Sequence, residues 1–139
     1  MSGVMRTKRS TVFAIQPDES QAEYDQSLEN YRRDFAPANE EEELLVLQMV
    51  QSKWKLARIN RMEAALVAQM MADDPEHNTA EAVLAAAMLS GKAKPYHELQ
   101  RQAAAAERAY FQALRKLRRA RKDKATLRLD SITGNFFRA

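Results

Sequence analysis

Four prolines, at positions 17, 37, 75 and 95, divide this chain of 139 residues, and only three glycines accompany them. Proline cannot donate a backbone hydrogen bond, and it pushes the preceding residue out of the helical region. Each proline therefore marks where a helix begins or ends. The intervals between them are rich in Ala, Leu, Met, Glu, Gln, Lys and Arg, which are good helix formers. The spacing predicts an all-α chain with two long helices and two short ones.

Pro17-Asp18-Glu19-Ser20 reads as the first helix start, with Asp18 or Ser20 as the cap. Tyr24, Leu28, Tyr31 and Phe35 then follow at spacings of 4, 3 and 4, which is one apolar stripe. Ala36-Pro37-Ala38 ends it. Asn39 followed by Glu40 to Glu43 is a second start, with four carboxylates at the positive end of the helix dipole. In the next stretch Leu47, Val50, Trp54, Ala57, Arg61, Ala64, Ala68 and Met71 alternate at 3 and 4 and predict a heptad seam. Leu44, Met49, Ile59, Met62, Leu66 and Met70 widen the apolar surface beyond what one neighbour covers. Asp73-Asp74-Pro75 breaks this helix, and Asn78-Thr79-Ala80-Glu81 has the form of a capping box for an Ala-rich helix ending near Gly91. After Pro95, the residues Tyr96, Leu99, Ala103, Ala106, Tyr110, Ala113, Leu117 and Ala120 keep the 3-4 spacing.

The expected architecture is an antiparallel pair of long helices, about 39–72 and 95–122, with two shorter helices against it. Residues 1–17 are read as a flexible N-terminal segment, 18–124 as the helical domain and 125–139 as a tail. Arg6, Lys8 and Arg9 ahead of "TVFAI" resemble a targeting start, but the apolar part is too short for one. Thr133-Gly134-Asn135 looks like a turn, and Phe136 and Phe137 are expected to dock on the bundle or on a partner.

Two stretches, "EELLVLQMVQSKWKLARINRMEAAL" (42–66) and "ERAYFQALRKLRRAR" (107–121), resemble segments of a family of uncharacterised helical bacterial proteins. Trp54, Arg58, Glu63, Arg108, Tyr110, Phe111 and Leu114 stand in corresponding places. The family's N-terminal Asn-Ala-Leu-basic-His-Gly segment is missing, and Gln102-Ala103 replaces a frequent Tyr-Glu. The resemblance implies a helical fold and brings no particular activity.

The net charge of +3 conceals a strong segregation. Residues 18–43 hold ten acids against Arg32 and Arg33, and residues 115–128 hold eight bases against Asp123. Such a chain pairs its own ends, pairs with a copy of itself, or offers one end to a charged partner. Catalytic chemistry is not in view, so the chain is read as no enzyme. There is no Cys, no Gly-rich phosphate loop, and no Glu with a His three residues later. His77 near Asp73, Asp74 and Glu76 fits a turn better than a metal site. We expect no metal, cofactor or small-molecule substrate. No apolar run approaches the roughly 18 residues of a membrane span, and the absence of Cys fits a cytoplasmic setting.

Two sets of residues carry the functional expectations. Arg115, Lys116, Arg118, Arg119, Arg121, Lys122 and Lys124 are candidate contacts to phosphates or to an acidic partner. A helix C-terminus favours such bases in any case. Arg58, Arg61, Glu63 and Glu107 are a candidate polar seam. Arg61 falls on the predicted heptad seam, either with its guanidinium reaching water or paired with Glu63 or Glu107 or stacked on Trp54. The leading expectation is a non-enzymatic interaction module that self-associates or docks on a protein. The alternative is nucleic-acid binding by the basic stripe.

Overall fold

Residues 13–137 are described by a computed structural model, with side chains described as far as Leu127. They form four helices and, among the described residues, no strand: α1 Gln21–Phe35, α2 Glu40–Asp73, α3 Ala80–Ser90 and α4 Lys94–Phe137. The all-α architecture with a dominant long pair is as the proline spacing predicts.

Side-chain caps set the starts. Ser20, Asn39 and Thr79 each accept a hydrogen bond from the backbone N–H three residues on, at Glu23, Glu42 and Ala82. The third cap is thus Thr79 and not Asn78, and Glu81 lies one position too early to close a capping box. Gly91 ends α3 at φ 76°, where the absence of a Cβ removes the steric penalty. Ala36 ends α1 at φ 43° without that advantage. The carbonyls of Phe35 and Ala36 both accept from the Arg121 guanidinium, which holds this strained turn.

α2 and α4 run antiparallel: Glu42 meets Arg121 at one end, and Glu63 accepts from Gln100 towards the other. Two apolar clusters join them. Val46, Met49, Ala113 and Leu117 form the first, with Tyr31, Phe35, Leu45, Tyr110 and Leu114 packed around it. Ile59, Leu99 and Ala106 form the second, with Leu56, Leu66 and Ala103. On α4 the buried residues follow the predicted seam. On α2 they do not. Ala57, Arg61, Ala64 and Ala68 are exposed, while Val50 is buried and Trp54 meets Tyr24 of α1 edge-on. α2 carries two competing 3-4 patterns. The one with the larger side chains, Val46, Met49, Leu56, Ile59 and Leu66, removes more apolar area from water and faces α4.

α2 is the hub: its backbone lies close to those of α1, α3 and α4, whereas α1 meets α4 through the Tyr31–Tyr110 hydrogen bond and the Arg121 guanidinium on the Phe35 carbonyl. The fold is a helical bundle centred on α2. α4 also continues through Phe137, where the sequence suggests a tail from residue 125. Its last 16 residues, from Lys122, extend about 24 Å past the Glu42–Arg121 contact. The side chains of Phe136 and Phe137 lie outside the described ones, as do residues 1–12 with their Arg6, Lys8 and Arg9.

Candidate interaction surfaces

Most strongly perturbed acids in the described residues serve the fold. Glu42 is 3% exposed, accepts from the Ala38 N–H at 3.1 Å, and lies 3.2 Å from Arg121. The Ala38 N–H chiefly, with Arg121, holds its carboxyl below the usual range against the cost of burial. Arg121 therefore belongs to a tie among α1, α2 and α4, and leaves the set of candidate phosphate contacts.

A second tie fixes the segment before α1. The Glu19 carboxylate is buried and accepts two hydrogen bonds from Arg58, at 2.9 and 2.7 Å, plus one from Arg61. Arg58 also donates to the Ala14 carbonyl and covers the face of Phe13, which stacks on Tyr24. Arg58 is the main reason the Glu19 pKa falls to about 2. The buried indole N–H of Trp54 lies close enough to assist without forming an aligned bond. The four members of the proposed polar seam are consequently not brought together. Arg58 and Arg61 serve Glu19, Glu63 meets Gln100, and Glu107 is exposed. Arg61 does not lie between α2 and α4, because that face of α2 carries other residues. Glu19 was missed in the sequence because its partners lie 39 and 42 residues away.

Tyr31 and Tyr110 share a hydroxyl hydrogen bond at 2.9 Å beside a groove of about 250 Å³. Burial, then the Tyr31 contact, raises Tyr110 to about 12, so its phenol stays protonated in neutral solution. His77 bonds Asp74 within the α2–α3 turn. Among the described residues, no three His, Asp or Glu are gathered to hold a metal, and no helix is long and apolar enough to cross a membrane.

The remaining candidate bases, Arg115, Lys116, Arg118, Arg119, Lys122 and Lys124, are exposed, and among the described residues none makes an ion pair. Since α4 runs to Phe137, these bases stand well before its last turn, so helix-dipole compensation does not account for them. Arg115–Arg118, Arg115–Arg119, Arg118–Lys122 and Arg119–Lys122 are like-charge neighbours, each costing about 0.2–0.5 kcal/mol. The row also starts earlier than the sequence run suggests. Arg101 and Arg108 precede Arg115 and Lys122 at intervals of seven, on the same outward face and equally exposed. The signal was present in the sequence as period rather than density.

Another surface is partly apolar. Between α2 and α4, on the flank away from Tyr31, Ile59, Met62, Ala105, Ala106 and Ala109 line a groove of about 440 Å³ together with the polar Gln16, Ser52, Lys55, Arg58 and Gln102. Leu44, on the same side of α2, is 60% exposed. On α3, which is apolar around its circumference, Val83 and Ala87 are buried while Met88 and Leu89 face outward, Leu89 at 91% exposure.

No family model, curated protein or solved structure matches the chain. The fold and its surfaces therefore stand on the structure alone.

Proposed function

We propose that this protein is a non-enzymatic helical interaction module that self-associates through the open α2/α4 flank. One observation carries this reading. α4 packs its backbone closely on α2 alone and meets α1 only at its Tyr110–Arg121 end, and the groove beside the α2/α4 contact is lined by Ile59, Met62 and three alanines among polar side chains such as Lys55 and Gln102. A second copy of the same flank supplies the missing neighbour, giving a four-helix layer in which both pairs gain contacts. The small side chains of Ala105 and Ala109 permit close helix approach. α2 is about 50 Å long, and a contact strip ~15 Å wide along it approaches the roughly 800 Å² per partner of a standard interface.

Adjacent alanines provide the test. Ala105 lines the groove, whereas Ala104 is exposed outside it. In sedimentation velocity the wild type and Ala104→Glu are expected to run as dimers and Ala105→Glu as a monomer, with unchanged helical circular dichroism in all three. Equal sedimentation of the two variants overturns the reading.

A further inference from the structure

The outward face of α4 is separate from that flank and points away from α2. It carries Arg101, Arg108, Arg115, Arg118, Arg119 and Lys122, all exposed, over 22 residues or about 32 Å of helix. Arg101 alone has an acidic partner in the described residues, Glu98 at 2.9 Å. The repeat of seven places Arg101, Arg108, Arg115 and Lys122 at intervals of about 10.5 Å, nearly in line. A face that served only solubility would mix its signs. Here six bases stand against a single paired acid, Glu98, although the chain holds ten acids in residues 18–43.

We propose that this row is a binding surface for the phosphates of duplex nucleic acid. Five of the six bases are arginines, whose planar guanidinium matches phosphate oxygens in pairs. An acidic protein partner needs apolar anchors at the centre of its interface. Here Phe111, 46% exposed, is the one large apolar side chain on the face. The same scarcity disfavours single strands, whose binding relies on successive bases stacking on aromatic rings. A straight helix laid on a duplex brings about four of the six bases onto phosphates at once. With four contacts the affinity falls about a hundredfold between 50 and 200 mM salt.

The test is fluorescence anisotropy with a labelled 30-base-pair duplex DNA of mixed sequence, alongside a labelled poly-glutamate peptide, across that salt range. Two charge-matched variants of the full chain are compared: Arg108→Glu with Arg115→Glu, and Lys53→Glu with Lys92→Glu. All four positions are exposed, and circular dichroism verifies that both variants fold. Expected are duplex binding with the steep salt dependence, a loss of at least tenfold in the α4 variant, and a change under threefold in the lysine variant. Three results overturn the proposal: no duplex binding at 50 mM salt, equal losses in both variants, or tighter binding of the peptide than of the duplex through the same row. None of these positions lines the groove of Ile59, Met62 and Ala105 that the proposed self-association uses, so the outcome is independent of it.

Discussion

The two ends of the α2/α4 pair are built differently. At the Glu42–Arg121 end three helices converge. Val46, Met49, Ala113 and Leu117 are at most 1% exposed there, aromatic side chains from α1 and α4 surround them, and an ion pair between a buried Glu42 and a half-exposed Arg121 locks the α1 turn. At the other end Ile59, Leu99 and Ala106 form a smaller cluster beside an open groove, and α3 touches only α2. The first end completes its own core. The second leaves apolar surface without an intramolecular neighbour, which is where a self-associating chain needs it.

The contrast can be broken most directly by truncating one core residue at each end. Leu117→Ala is expected to cost about 3–5 kcal/mol, since its surroundings are tightly packed, while Ile59→Ala costs nearer 2 kcal/mol because the open groove lets the site relax. Denaturant melts of the two variants measure both, and a larger loss at Ile59 reverses the comparison. Next in size is Glu42→Ala. It leaves the Ala38 N–H unpaired, removes the carboxylate that answers Arg121, and is expected to cost about 1–3 kcal/mol. A cost below 0.5 kcal/mol would mean that packing alone holds the convergent end.

A pH titration sharpens the role of the segment before α1. The Glu19 pKa is depressed from 4.5 to about 2 in the fold, so its contribution is complete above pH 4.5 and is lost as pH falls towards 2. In Glu19→Gln the melting temperature is expected to depend less on pH across that window than in wild type. Parallel curves would show that the Arg58 tie does not contribute. The smallest effects are expected at Leu89→Ser and Arg61→Leu, each within about 0.5 kcal/mol in thermal melts of the isolated chain, because both side chains are largely solvated.

Helix number, order and starts were legible because Pro and the Ser, Asn and Thr caps act locally, while the end of α4, expected near residue 122, lies at Phe137. The α4 seam was legible too, since its apolar residues follow a single pattern. The α2 seam was not. Leu47-Val50-Trp54 runs at 3 and 4, Val46-Met49-Leu56 at 3 and 7 with Lys53 between, so each fits one helix face, and only the choice of neighbour separates them. Long-range ion pairs were equally hidden. Nothing near Arg58 in the sequence points to Glu19, and Arg121 looks like its neighbours until α1 is folded against it. The basic surface was legible in part, through the dense run at 115–124. Its extension to Arg101 and Arg108 is evident once α4 is laid out as one helix, and its distance from the helix end depends on α4 reaching Phe137.

The central claim is that the open flank is covered by a second copy. Light-scattering mass of the purified chain, measured over a concentration series, tests it most directly. The account predicts a mass about twice the 15.9 kDa of one chain, falling towards that value on dilution. A constant mass of 15.9 kDa up to the highest concentration would contradict it.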